Sequence, residues 1–287
     1  EEGWGGGGAK EEKENEEKNL KYLVYMLFYS HSMSNFEVDS AFESLKSEDI
    51  LEFFISMFSQ NLFFEIERGF YKEYILCEEN LKVVRGKILP LINARKNFTK
   101  ERIYCEYDEF TPDNRLNQFF YFASNLFAKI AKTDQNKKNL KDLLLIFDEV
   151  SLLGFSKKEW RDEYRFSRIN ERFSKSYDLA IFILEHLIFD FEDAENLNYS
   201  FVFDMNKLFE KFVAKAFQES FGAKLQKEVG FGDLKIYPDI ILESKKIVID
   251  TKYKIVRGFP KRERQNGEVV YSDIYQMFAY CKALGYK

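Results

Sequence analysis

Histidine and cysteine are both scarce in this chain, and each scarcity removes a class of chemistry. Only His31 and His186 are present, which leaves no basis for a histidine-rich zinc centre or a Ser-His-Asp triad. His186, within Ile181-Phe-Ile-Leu-Glu-His186, reads as a helix residue near the core. The three cysteines, Cys77, Cys105 and Cys281, are odd in number, far apart and without a Cys-x-x-Cys pair. That pattern argues against a disulfide framework and fits a reduced, cytoplasmic protein. No stretch approaches the roughly 18 consecutive apolar residues of a membrane span, and no signal peptide is visible, so no membrane association is expected. No segment matches G-x-x-x-x-G-K-[ST] either, so any nucleotide hydrolysis this protein depends on must belong to another chain. A net charge of −5 gives no global case for nucleic-acid binding.

Aromatic residues, by contrast, are abundant: 17% of 287 residues, with 31 phenylalanines. This is a globular composition, able to fill one large or two medium domains. Residues 1–18 combine a glycine run with alternating charge and read as a disordered lead-in, tag or linker. Ordered structure is expected from Asn19, with a buried helix over Leu20–Tyr29. A second helix spans about 47–68, carries Phe54, Ile55, Phe58 and Leu62 at helical spacing, and ends at Gly69. Strands are expected at Tyr71–Cys77, Leu81–Val84 and Ile103–Tyr107. Thr111-Pro-Asp113 then opens a helix with Thr111 as its cap. Residues 112–190 read as largely helical, with a polar break at Thr133–Lys138, and a domain boundary is expected near 193–200.

Beyond that boundary Asp204 caps a helix running to about Ser220, with Gly222 as its stop. Leu208, Phe209, Phe212, Val213 and Phe217 form its apolar face, and Glu210 sits at the edge. Glu210 is therefore either a flanking charge or a carboxylate aimed at whatever the helix covers. A strand at Leu225–Val229 leads to a hairpin of Lys235–Leu242 and Lys246–Lys252. Folding it about Ser244–Lys245 pairs residues whose numbers sum to 489, so Asp239 faces Asp250. Lys252 projects from the same face as Asp250. Ile247, Val248 and Ile249 make the second strand apolar on both faces, as in an interior strand.

Opposed carboxylates at the end of such a strand need compensation. A divalent, oxygen-loving cation supplies it: Mg²⁺, or Mn²⁺ in its place, where the substrate is a phosphate. Lys252 then stands where it can orient or activate a water for attack on phosphorus, with Glu210 and the Thr251 carbonyl as further oxygen donors. A surface ion pair between Asp250 and Lys252 is the plainer alternative. Residues 224–287 hold 13 Lys/Arg against 8 Asp/Glu. Lys261, Arg262 and Arg264 lie within a 254–270 loop suited to track a DNA backbone. A last helix, about 273–284, puts Gln276 and Tyr280 on one face, although Asp273 and Gln276 also fit a capping box.

Pro238-Asp239 followed by Asp250-Thr-Lys252 across a hairpin resembles the PD-(D/E)XK nuclease superfamily. Gln276-x-x-x-Tyr280 on the next helix resembles its RecB-like branch, in which these side chains support the active site or DNA contact. Over 19–287 the chain resembles the McrC family, the nuclease subunits of McrBC-type modification-dependent restriction systems. The matching stretches include Asn19–Tyr29, Arg85-Gly-Lys-Ile88, Cys105–Asn117, Leu208-Phe-Glu-Lys-Phe-Val213, Asp250-Thr-Lys-Tyr-Lys254 and Asp273–Tyr280.

The resemblance implies an α+β fold. A largely helical N-terminal domain with a small sheet, 19–195, would dock on an McrB-like AAA+ GTPase ring and stimulate it. A PD-(D/E)XK α/β endonuclease core, 196–287, would cut double-stranded DNA. Asp239, Asp250 and Glu210 would be its metal ligands, and Lys252, Gln276 and Tyr280 would complete the catalytic set. Members of the family continue past this helix into another core strand, whereas this sequence stops at Lys287, so the core is expected to lack its last strand. Two other readings stay open, a non-cutting docking activator of the GTPase and a stand-alone RecB-like nuclease.

Overall fold

The helix that begins at Ile50 shows how the phenylalanine-rich half of the chain is built. In the computed structural model, which describes residues 8–31, 49–99, 101–156, 159, 164–190, 198–231, 234–253 and 271–286, this helix is Ile50–Glu67 (α2). Asp49 caps it by accepting from the Leu51 N–H at 3.1 Å. Phe54, Phe58 and Leu62 recur at helical spacing and are fully buried. The Phe58 ring stands edge-on to Phe127 at 5.1 Å, and Phe54 meets Phe182 at 4.7 Å. Each such ring contributes about 2–3 kcal/mol on burial. The partners come from helices Arg115–Ile130 (α4), Asp134–Ile146 (α5) and Ser174–His186 (α6), with Pro90–Lys96 (α3) a short helix before them. His186 sits on α6, its ring against Phe182 and its Nδ1 2.8 Å from the Phe182 carbonyl, as its surroundings in the sequence suggest.

Glu73–Leu81 (β1) and Ile103–Thr111 (β3) pair antiparallel from Glu73↔Thr111 to Leu81↔Ile103, and Lys87–Ile88 (β2) adds to the far side of β3. The strand expected at Leu81–Val84 is not formed: Leu81 ends β1, and the next strand waits for Gly86, which turns the chain at φ +68°. The cap expected at Thr111 also falls elsewhere. Thr111 closes β3 and accepts from the Asp113 N–H, while Asn114 caps α4 by accepting from the Asn117 N–H. Asn114 and Asn117 are both buried, and the Asn117 amide donates to the Tyr71 and Pro112 carbonyls at 2.8 Å each. A satisfied Asx cap inside the core outcompetes the half-buried threonine, which is already committed to the end of β3. The polar break also ends sooner than expected, since Thr133 is already the cap of α5. Leu187–Asp190 (β4) and Asn198–Phe201 (β5) form a two-stranded ribbon.

The chain divides into two compact units, residues 44–202 and residues 1–43 with 203–287. The boundary thus follows Val202, and the first helix belongs with the second unit, not with the 19–195 domain the sequence led us to expect. That helix, Gly8–Ser30 (α1), also begins inside the expected disordered lead-in. Ala9–Lys18 is made almost wholly of strong helix formers, which extend the apolar run that follows. Its C-terminal half packs on Met205–Phe221 (α7): Phe212 stands edge-on to Tyr29 at 5.2 Å, and the Tyr29 hydroxyl donates to Glu219 at 2.6 Å.

Asp204 caps α7, and Gly222 closes it in the left-handed conformation at φ 64°, both as the sequence indicates. Ala214 and Phe217 of α7 pack on Ile240, Leu242 and Ile249 of a three-stranded sheet. Its strands are Lys224–Leu225 (β6), Ile240–Leu242 (β9) and Ile247–Ile249 (β10), in the order β10-β9-β6. The expected Leu225–Val229 strand is broken at Gln226, which adopts φ 43°, and Val229–Phe231 (β7) pairs with Leu234–Ile236 (β8). Tyr271–Leu284 (α8) is the last helix. The architecture is α+β.

Candidate active site

The β9–β10 hairpin has the register that the sequence implies: Leu242↔Ile247, Ile241↔Val248 and Ile240↔Ile249. One step further along the same register lie Asp239 and Asp250. Both strands are shorter than expected. Pro238 has no N–H for a ladder, so the segment before it leaves the sheet, and Leu234–Ile236 pairs with β7 instead. The interior strand is β9, flanked by β10 and β6, with Ile240 and Ile241 fully buried; Ile247 on β10 is exposed. The doubly apolar second strand was expected there. Lys224–Leu225 pairs with the other edge of β9, which makes β9 the interior strand and leaves β10 at the edge.

Past the last ladder pair, side chains replace backbone pairing. The Thr251 N–H donates to Asp239 Oδ2 at 2.7 Å and the Thr251 hydroxyl to the same oxygen at 3.0 Å. The Lys252 ammonium lies 3.0 Å from Asp250 Oδ2, whose side chain is 6% exposed. That hydrogen bond holds the Lys252 pKa above 10.5 against the opposing effect of burial, helped by the fields of Asp250, Asp273 and Asp239. Lys252 also donates to Gln276 Oε1 at 3.5 Å, Gln276 Nε2 donates to the Tyr280 hydroxyl at 2.7 Å, and that hydroxyl reaches the Tyr237 carbonyl at 3.4 Å. Asp273 lies inside α8, so it is not the helix cap, and Gln276 is committed to this chain of contacts instead of a capping box.

Glu210 joins less directly. It accepts from Gln226 Nε2 at 2.9 Å, and the Gln226 N–H donates to the Asp239 carbonyl at 3.0 Å. Among the described residues no group of three or more His, Cys, Asp or Glu side chains stands together with metal-holding geometry. Asp239, Asp250, Lys252, Gln276 and Tyr280 are thus brought together at one end of the hairpin, and Glu210 stands one residue away through Gln226. Gln226 and the Thr251 side chain were not singled out in the sequence. Thr251 carried one signal, its place between the aspartate and the lysine; Gln226 carried none. The basic loop at 254–270, with Lys261, Arg262 and Arg264, lies outside the described residues.

The chemistry of the donor set fits a hard cation. Each aspartate has one oxygen held, Asp239 by Thr251 and Asp250 by Lys252, and among the described residues neither Oδ1 has a hydrogen-bond partner. Two such oxygens leave the remaining positions to water and phosphate, which is how Mg²⁺ is commonly held.

No helix among the described residues is long and apolar enough to cross a membrane. No curated protein matches this sequence. Among solved structures the chain is similar to one in the refined half-complex from a tetradecameric assembly of Thermococcus gammatolerans McrB AAA+ hexamers with bound McrC. There the TM-score is 0.60 at 24% identity, covering 86% of this chain and 57% of that one. It is also similar to a chain of the cryo-EM structure of the Thermococcus gammatolerans McrBC complex, with a TM-score of 0.50 at 26% identity over 71% of this chain and 59% of that one. The sequence therefore spans under two thirds of the chains it matches. Residues 9–287 match the McrBC 5-methylcytosine restriction system component family, and the chain belongs to that family.

Proposed function

We propose that this chain is an McrC-type subunit, a Mg²⁺-dependent DNA endonuclease that docks on an McrB-like AAA+ GTPase ring and cuts double-stranded DNA when that ring turns over GTP. The observation that carries the reading is the convergence of Asp239, Asp250 and Lys252 at the hairpin end, tied to Gln276 and Tyr280. Asp239 and Asp250 would hold the cation through their carboxylates. When bound, Mg²⁺ or Mn²⁺ supplies Lewis-acid stabilisation of the phosphate and lowers the pKa of a water.

Lys252, held 3.0 Å from Asp250, would orient or activate the attacking water or donate to a phosphate oxygen. Gln276 fixes the direction of the lysine, and Tyr280 fixes Gln276. The unit of residues 44–202 is left for docking.

The test is plasmid cleavage with Mg²⁺, GTP and the partner GTPase, on methylated and unmethylated DNA, comparing wild type with Asp250→Ala and Lys252→Ala. Cutting that requires GTP and vanishes in both variants supports the endonuclease. Undiminished cutting by both sinks the assignment of the site. Absent cutting with GTP turnover raised equally by all three proteins leaves a docking activator.

A further inference from the structure

Three residues in a row, Asp250, Thr251 and Lys252, leave the hairpin together, and only the outer two carry charge. Thr251 is half-buried and spends both of its donors on one atom, Asp239 Oδ2. A strand at this point would have paired its backbone with the opposite strand, yet the last ladder pair is Ile240↔Ile249. The N–H of Thr251 goes to a side chain instead. An unrestrained aspartate rotates about its χ angles; one held by two donors on a single oxygen is fixed in direction. The oxygen left over is Oδ1, which has no partner among the described residues.

We propose that Thr251 is a positioning residue for the cation site. Its hydroxyl locks the Asp239 carboxylate so that Oδ1 stays available to a divalent cation shared with Asp250. The inference rests on the metal-dependent reading of the site and names a residue outside the acid and lysine set. Groups that orient a metal ligand without touching the metal are worth about 10–100-fold in metal affinity. The backbone N–H contributes whatever the side chain, so the hydroxyl alone is expected to be worth the lower end of that range.

The experiment measures Mn²⁺ binding to the full chain by electron paramagnetic resonance, without DNA or partner. It compares wild type, Thr251→Val, Thr251→Ala, Thr251→Ser and Asp250→Ala, each well below its melting temperature. Valine keeps the shape of threonine and loses the hydroxyl; alanine loses the hydroxyl without adding strain; serine keeps it. The expected result is binding about tenfold weaker in the Val and Ala variants, near wild type in the Ser variant, and lost in Asp250→Ala. The Mg²⁺ concentration for half-maximal cleavage shifts in parallel, while the rate at saturating Mg²⁺ changes little. Wild-type affinity in both Val and Ala variants, with loss in Asp250→Ala, overturns the role of Thr251 and leaves the metal site standing. Equal weakening in Ser, Val and Ala variants overturns it too, because a general structural defect would not spare serine. No binding in wild type that Asp250→Ala removes overturns the metal reading itself, and this inference with it.

Discussion

The Lys252 ammonium lies 3.0 Å from Asp250 Oδ2, and the two side chains differ in exposure, 41% for the lysine and 6% for the aspartate. The carboxylate is committed to the interior and the ammonium reaches it from the solvent side. Lys252→Met keeps the stem and removes the charge. We expect GTP-dependent cleavage to fall by about 100-fold or more, while Mn²⁺ binding persists because both carboxylates remain. Parallel cleavage and Mn²⁺-binding assays check this, and loss of binding together with cleavage would show that the lysine organises the site and does not serve the chemistry.

Tyr280 receives the Gln276 amide at 2.7 Å. Tyr280→Phe removes that acceptor and frees Gln276 to turn away from Lys252. The expected cost is about 1 kcal/mol in urea unfolding, with a roughly tenfold fall in cleavage. Gln276→Ala should act on the same path, so the double variant should cut no worse than the poorer single one. Additive losses would separate the two residues.

Gly86 explains itself on steric grounds. It sits at φ +68°, and a Cβ there would lie 2.4 Å from the Glu106 carbonyl oxygen and 2.7 Å from Tyr107 Cβ. Beside it, the Arg85 guanidinium stacks 3.9 Å over the Tyr107 ring. Gly86→Ala must both enter the left-handed region and push β3 aside, at a cost of at least about 2 kcal/mol. If the 44–202 unit carries docking, this variant loses stimulation of the partner's GTP turnover and keeps Mn²⁺ affinity. Unchanged turnover would remove this edge of the sheet from the docking face.

Glu52 is a buried carboxylate, 3% exposed, and accepts from the Lys132 and Thr133 N–H groups, the Thr133 hydroxyl and the Asn136 amide. Burial pushes its pKa up, but the hydrogen bonds, led by the Thr133 hydroxyl, outweigh burial and hold it below 4.5. A group depressed on folding stabilises above its unfolded pKa, and that contribution fades as pH falls through the lower folded value. The stability of wild type to urea should therefore fall below about pH 4.5. Glu52→Gln should cost about 2–3 kcal/mol at pH 7 and flatten the acid limb. An unchanged acid limb would assign that sensitivity to other carboxylates.

The hairpin register was legible because two β-branched runs around a short polar turn admit one symmetric pairing, and it places Asp239 opposite Asp250. The ends of α7 were legible for a similar reason, since Asp204 and Gly222 act on their own neighbours. Bonds that cross elements leave no such trace in the sequence. The strand limits at Asp239 and Thr251 are set by a side chain taking a backbone donor, and the tie from Glu210 to Asp239 runs through Gln226 in a left-handed conformation. The partner of α1 was illegible for another reason: an apolar run shows that a helix is buried, but not against which segment.

That last pairing has a consequence for how the protein is made. Tyr29 and Glu219, hydrogen-bonded at 2.6 Å, are 190 residues apart in the chain. At about 5–20 residues per second on the ribosome, α1 waits roughly 10–40 s for the helix that covers it. The chain of the other compact unit, residues 44–202, is synthesised within that interval. Until α7 is made, Tyr25 and Tyr29 of α1 lack the Phe212 ring that they meet in the finished protein.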